Sequence, residues 1–218
     1  MTQLILTLVF AVFVLVSICL IIWRINARKF ISSGTVASAY DSWTQDKLLE
    51  RLWGEHIHLG FYPVGKKNID FRKAKAQFVH ELVKWSGLDK LPKGSRILDV
   101  GCGIGGSSRI LAKYYGFNVT GITISPAQVK RAIELTPPGL NCNFQVMDAM
   151  DLKFEDGSFD AVWSVEAGAH MNDKAKFADE MLKKLRPGGY LALADWNSRD
   201  LRAYPPSFFE KLVLKQLL

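Results

Sequence analysis

Charged side chains are missing from the first 23 residues, and cysteine is scarce throughout. The three cysteines, Cys19, Cys102 and Cys142, are odd in number and spaced unlike a zinc site or a disulfide framework. They read as free thiols of a reducing compartment. Internal repeats and low-complexity tracts are also lacking, which excludes solenoids and disordered tails. What remains is a chain of 218 residues, 49% apolar, with a formal net charge of +7 and a pI near 9.3. That is enough for one folded domain and an extra element. The basic balance suits an anionic membrane, a nucleic acid or an acidic ligand, and does not choose among them.

The uncharged start is also long. Residues 4–23 are almost unbroken Leu, Ile, Val, Phe and Ala, and Arg24, Arg28 and Lys29 follow at once. Twenty helical residues span ~30 Å, the thickness of a bilayer core. Residues 1–29 are therefore expected to be a single-pass anchor with a basic flank, the rest of the chain being cytoplasmic. A cleaved signal peptide fits less well. The start carries no basic residue, the run is too long, and no small-x-small site precedes Trp23.

Residues 30–69 read as a linker, a helical stretch over 36–53, and an aromatic, glycine-rich loop from Trp53. From 70 to 218 a second region begins. Asp70 is placed to cap a helix whose apolar stripe is Phe71, Ala74, Phe78, Leu82 and Trp85, with Arg72, Lys73, Lys75 and Glu81 on a solvated face. Strands are expected over 96–100, 118–122, 143–146, 159–164 and 190–194. Helices alternate with them over 107–115, from Ser125-Pro126, and over 173–185 with Phe177, Met181, Leu182 and Leu185 inward. A last helix begins near Ser207. Such alternation implies an α/β fold with a parallel sheet covered on both faces.

The first strand ends in Asp99-Val100-Gly101-Cys102-Gly103-Ile104-Gly105-Gly106 and leads into a helix. Glycines let a backbone turn tightly and approach a ligand, and the helix N-terminus presents unpaired N–H groups. Gly101, Gly103 and Gly106 would also satisfy a dinucleotide fingerprint. Three features favour S-adenosylmethionine instead. Asp99 can accept from an ammonium and would repel a pyrophosphate. Asp148, with Ala149 beside it, follows the third strand, where it can meet an adenine amine. Thr123, with Gln128 beyond it, stands where nicotinamide enzymes place a ribose-binding acid, although many methyltransferases use an acid there too.

The runs ILDVGCGIGGSSRILA, GITISPAQ, EDGSFDAVWSVEAGAHM and LRPGGYLALADW resemble the class I methyltransferases. Within them the chain is similar to the tocopherol and plastoquinone C-methyltransferases, above all the cyanobacterial-type 2-methyl-6-phytylbenzoquinone enzymes. Those also carry a hydrophobic N-terminal segment and a WG(D/E)HIHLG loop, here residues 53–60. The resemblance implies a Rossmann-like fold and S-adenosylmethionine as cofactor, held by Asp99, Gly101, Cys102, Gly103, Gly105, Thr123, Gln128, Asp148 and Ala149. It implies methylation of an aromatic carbon of a prenylated benzoquinol. Sibling readings are a γ-tocopherol or sterol-type methyltransferase, or a shortened protein that binds the cofactor without turnover. Class I domains have seven strands and five can be counted here, so the reading is of a chain cut short at its C-terminus.

Candidate catalytic residues lie after the fourth strand, where open α/β sheets bind ligands. His170 is expected as base or hydrogen-bond partner of the quinol oxygen. Glu166, four residues earlier, would orient it if that loop is helical, or contact substrate; the alternative for His170 is that it merely caps the next helix. His56, His58 and Trp53 are candidate substrate contacts or lid residues, with plain loop packing an equal alternative. Trp43 and Trp163 are possible contacts for a prenyl tail, or core. A metal is not expected, because His56 and His58 lack a convincing third ligand. Nucleic-acid methylation is not expected either, for want of an Asn-Pro-Pro-Tyr or Pro-Cys motif. The anticipated partners are the membrane and its prenylated quinol, and the anticipated site is an inner or thylakoid membrane.

Overall fold

The computed structural model describes residues 9–20, 33–197 and 203–210. Residues 9–20 are helical (α1), with Val9, Phe10, Phe13 and Leu15 exposed. Among the described residues no helix is long and apolar enough to cross a membrane. The expected span over 4–23 extends beyond them at both ends. Residues 208–210 begin a helical turn in which Ser207 Oγ accepts from Glu210 N and the Glu210 carboxylate accepts from Ser207 N. This is a reciprocal capping box. The described residues divide into two units, one holding 9–20 and 203–210 and the other 33–197.

The second unit holds the sheet. Its strands are β1 (Arg96–Val100), β2 (Asn118–Thr123), β3 (Cys142–Val146), β4 (Phe159–Val165) and β5 (Leu185–Ala194), ordered β3-β2-β1-β4-β5. Every pairing is parallel. Parallel neighbours need crossovers, and α5 (Gly106–Tyr115), α6 (Pro126–Leu135) and α7 (Lys174–Lys184) provide three of them. Strands buried on both faces are mostly apolar, as in β1, where Ile97, Leu98 and Val100 are fully buried and Asp99 is the one buried charge. One core, with Val83, Leu111, Phe117 and Trp163, lies under α4 (Phe71–Ser86) and α5. The other, with Leu98, Ile122, Phe159 and Met181, lies under α7. The order reverses at β1, so the carboxyl ends of β1 and β4 flank a topological switch point, the place where such sheets bind ligands.

Local signals explain the ends of the elements. Asp70 accepts from Lys73 N, Ser125 from Gln128 N and Asp173 from Lys176 N. Gly87 and Gly116 close α4 and α5 in the left-handed region, which glycine adopts without a Cβ penalty.

Several expectations need correction. Helix begins at Ser33, inside the expected linker, and the stretch over 36–53 is two helices, α2 (Ser33–Gln45) and α3 (Leu48–Trp53), broken where Lys47 takes φ 51°. On α4, Phe71 and Trp85 in the first and last turns of the helix are exposed, and the burial is confined to the turns between them. Lys75, assigned to the solvated face, is 4% exposed. Leu182 is 51% exposed, and only Phe177 and Met181 of its expected set are fully inward. Strand β5 starts at Leu185 rather than 190; the Pro-Gly-Gly run is carried as an irregularity opposite Phe159 and Ala161.

Candidate functional site

The glycine turn is built by backbone. Gly101 N and Cys102 N both donate to Ile122 O at 2.9 Å, folding the chain over the end of β2. Gly101 (φ 79°), Gly103 (φ 55°) and Gly105 (φ 80°) all lie in the left-handed region. A Cβ on Gly101 would stand 2.4 Å from Ala167 Cβ, so the turn and the loop after β4 touch. A Cβ on Gly103 would meet nothing within 4 Å, which leaves that backbone open to a ligand. A Cβ on Gly106 would lie 2.5 Å from Glu55 O and 2.9 Å from the His56 ring. The aromatic loop thus crosses the first turn of α5.

Asp99 is 2% exposed and accepts from Ser108 Oγ at 2.6 Å. Burial pushes its carboxyl up to about 7, against the pull of the Ser108 hydroxyl. A carboxyl so poised becomes a carboxylate when a cation arrives. The Cys102 thiol is raised well above its usual range by burial and by Asp99, which makes it a packing group rather than a nucleophile. Thr123 and Gln128 are buried and joined by a 2.7 Å hydrogen bond. Asp148 accepts from Met150 N at 2.8 Å, turning the chain after β3, and Ala149 is buried behind it.

The N-terminal helices close over this edge. Asp41 on α2 accepts from Ser125 Oγ at 2.5 Å and from Ala127 N at 3.1 Å, sitting on the first turn of α6. Glu50 on α3 pairs with Arg131, and Glu55 pairs with Arg109 at 2.6 Å. Arg109 also donates to Ile104 O at 2.8 Å, so one guanidinium joins the aromatic loop to the glycine turn.

After β4, Glu166 takes φ 54° and the only helical turn is Gly168–His170. Glu166 and His170 therefore do not share a helical face. Glu166 accepts from Leu59 N at 3.0 Å, in the aromatic loop, while His170 Nε2 is 2.9 Å from the Tyr40 hydroxyl. Desolvation of the half-covered ring holds His170 below the ordinary histidine range, so it is neutral near pH 7. Burial, then Glu166, raises Tyr40. His56 and His58 hydrogen-bond to each other at 3.1 Å, and His58 Nδ1 is 2.7 Å from Leu59 O. Burial, with help from His58, Arg109 and Lys75, drives His56 down to about 3. Among the described residues no group of three His, Cys, Asp or Glu is placed to hold a metal ion.

The sheet edge thus gathers Asp99, the glycines, Cys102, Thr123, Gln128, Asp148, Ala149, Glu166 and His170, with His56 and His58 above. Trp53 lines a cavity of about 570 Å³ with His56, Arg72 and Lys75, on the far side of the aromatic loop. Trp163 is a fully buried core residue, which removes it as a contact for a lipid tail. Sequence reasoning missed Tyr40, Asp41, Lys75 and Arg109. The available signal was a charge on an otherwise inward face, as at Arg109 beside Leu111 and Ala112, or at Lys75 beside Ala74.

Residues 98–193 match the Methyltransferase domain family. The chain is 62% identical over 200 residues to 2-methyl-6-phytyl-1,4-hydroquinone methyltransferase of Synechocystis sp., covering 90% of this chain and 62% of that protein. It is 42% identical to the chloroplastic tocopherol O-methyltransferase of Arabidopsis thaliana, over 72% of this chain and 48% of that one. The chain spans about half to six-tenths of the length of these relatives. Among solved structures, the [4+2]-cyclase SpnF superposes with TM-score 0.66 at 30% identity, over 72% of this chain and 58% of that one. Geranyl diphosphate C-methyltransferase from Streptomyces coelicolor A3(2) shares the fold, with TM-score 0.63 at 21% identity, over 84% and 71%. With a five-stranded parallel sheet in the order 3-2-1-4-5 and these relatives, the chain has the class I methyltransferase fold, and its residues 98–193 are a methyltransferase domain.

Proposed function

We propose that this chain transfers a methyl group from S-adenosylmethionine to a ring carbon of a prenylated hydroquinone of the 2-methyl-6-phytyl-1,4-benzoquinol type, a step of tocopherol and plastoquinone biosynthesis. The observation that carries the reading is the meeting, at one switch point, of an acid-glycine turn open at Gly103 and the Tyr40–His170 pair. The 62% identity to the Synechocystis enzyme supports the quinol as substrate.

The residues fit the cofactor. Asp99 would balance its ammonium, Gly101 to Gly105 its methionine and ribose portion, and Asp148 with Ala149 its adenine. Bound there, it supplies a methyl group on a positively charged sulfur. The protein must then raise the electron density of the ring carbon. Neutral His170 accepts from the Tyr40 hydroxyl, so that as the carbon reacts the phenolic proton passes to the Tyr40 oxygen while the Tyr40 proton passes to His170 Nε2. Such general-base assistance contributes ~10²–10⁴-fold. Glu166 holds the aromatic loop through Leu59 N and so fixes it beside the pair.

Residues 1–29 are proposed to tether the chain to an inner or thylakoid membrane with the catalytic unit on the cytoplasmic side. The uncharged run and Arg24, Arg28 and Lys29 after it support this. A phytylated quinol stays in the bilayer, and a tethered enzyme need not extract it. Incubation of the full chain with methyl-labelled cofactor and a panel of 2-methyl-6-phytyl-1,4-benzoquinol, γ-tocopherol and a sterol tests the reading. Label on a ring carbon of the first is expected; label only on γ-tocopherol or the sterol, or on none, contradicts it.

A further inference from the structure

Residues 51–73 pass through an exposed strip of unusual composition. Leu59, Phe61 and Tyr62 are exposed and Val64 entirely so. Lys66, Lys67, Arg72 and Lys73 stand among them and are exposed as well. The strip is not loose. Phe61 N donates to Ala74 O at 2.9 Å, and a Cβ on Gly60 would stand 2.7 Å from Ala74 Cβ, so the loop is clamped to the first turns of α4. Lys75 Nζ donates to Trp53 O at 3.1 Å and to His56 O at 2.8 Å, fastening the other end.

Beside the strip lies the cavity of about 570 Å³ lined by Trp53, Arg51, Arg72 and Lys75. Its two acids are already taken, Glu50 by Arg131 and Glu55 by Arg109. Among the described residues, Arg51, Arg72 and Lys75 join no ion pair. The Lys75 ammonium lies 5.2 Å from the Trp53 ring centroid and 5.1 Å from that of Phe71. Cations bonded only to neutral carbonyls, next to exposed aromatic rings, make an amphipathic surface that meets a headgroup and an acyl boundary together.

We infer that residues 51–73 form a lipid-docking surface, the apolar tip at residues 59–64 entering the interface of an anionic bilayer and the cationic cavity taking a phosphate headgroup. This contact is separate from residues 1–29 and stands whichever quinol is methylated. It would bring the aromatic loop, and so the site it covers, to the depth of a membrane-dissolved substrate.

The test places an environment-sensitive fluorophore on Val64→Cys in a Cys19→Ser background of the full chain. Lys113→Cys, at the far end of α5, is the control. The protein is reconstituted in nanodiscs of phosphatidylcholine with or without phosphatidylglycerol, each carrying a spin-labelled quencher lipid. Quenching at position 64 and not at 113, only in the anionic discs, is expected. Arg72→Ala with Lys73→Ala should weaken the anionic-disc contact by about 25-fold, each basic side chain near an anionic surface being worth about fivefold in affinity. Methylation of a short-chain, detergent-soluble quinol by that variant should be unchanged, which separates this inference from the catalytic reading. No quenching at 64 overturns the docking surface. Equal quenching in neutral discs overturns the headgroup site. Loss of the anionic quenching on adding inorganic phosphate, and not on adding chloride to the same ionic strength, would assign the cavity to a free anion and overturn the lipid assignment.

Discussion

Asp99 is held where a carboxylate is costly until something cationic joins it. Its carboxyl, raised from 3.8 to about 7, binds a proton in the folded state that the unfolded chain has already lost. Without ligand, stability is therefore fullest below pH 3.8 and falls as pH rises towards 7. The loss from this group is ~4 kcal/mol at most, at about 1.36 kcal/mol per pH unit. Asp99→Asn should flatten that slope in denaturant titrations and be more stable than wild type at pH 8, while no longer binding S-adenosylmethionine. A less stable Asp99→Asn protein at pH 8 would show that the burial cost is not what shifts the group. At Gly101 two effects add, a left-handed φ and a Cβ that would collide with Ala167. Gly101→Ala should cost ~1–3 kcal/mol in thermal unfolding. It should also weaken cofactor binding, because either the turn or the loop after β4 must move. For the proposed base, Tyr40→Phe and His170→Gln should each lower kcat, His170→Gln by ~10²–10⁴-fold, with little change in KM. A base held below the ordinary histidine value stays neutral to lower pH. The acid limb of the wild-type kcat profile is therefore expected below about 6.5 and should vanish in His170→Gln. An unaltered limb in that variant would remove His170 from the proton path.

At the scale of elements, α2 and α3 are fastened to the sheet unit by a few long-range polar contacts: Asp41 with the start of α6, Glu50 with Arg131, and Glu55 with Arg109. Arg109 is the most consequential, since it also ties Ile104 O. Arg109→Met should destabilise by ~1–3 kcal/mol, the cost of leaving buried groups unpaired. It should also raise the KM for the cofactor more than it lowers kcat, because the turn is loosened while the Tyr40–His170 pair stays. Equal loss in both constants would place Arg109 in the chemistry instead. The elements themselves were readable wherever their cause is local. Asp70, Ser125 and Asp173 announce caps within three residues, and the strand-glycine-helix run at 96–106 carries its turn in its own composition. Lys75, Arg109 and Tyr40 were not readable in this way. Their partners lie from 5 to 130 residues away in sequence, and the long-range ones depend on how α2 and the aromatic loop fold back. The early start of β5 was hidden by Pro187-Gly188-Gly189, which reads as a turn and is carried in the sheet because β4 offers partners on either side of an irregularity.

At the scale of the molecule, the parallel sheet brings four loops to one edge, and the N-terminal helices roof it. The positions read from the sequence as cofactor contacts arrive at that edge together because strand polarity puts the ends of β1, β2, β3 and β4 on the same side. Glu166 and His170 arrive there too, but with different partners from those expected, because the chain at Glu166 adopts a left-handed turn instead of a helix. The central claim is that this edge binds S-adenosylmethionine with its ammonium on Asp99. It is tested most directly by calorimetric titration of the full chain at pH 6 in two buffers of different ionisation enthalpy, with NADH as the control. The account predicts saturable binding of S-adenosylmethionine, none of NADH, and release of close to one proton per molecule bound, as Asp99 becomes a carboxylate. Binding of NADH, or binding of S-adenosylmethionine with no proton released, would contradict it.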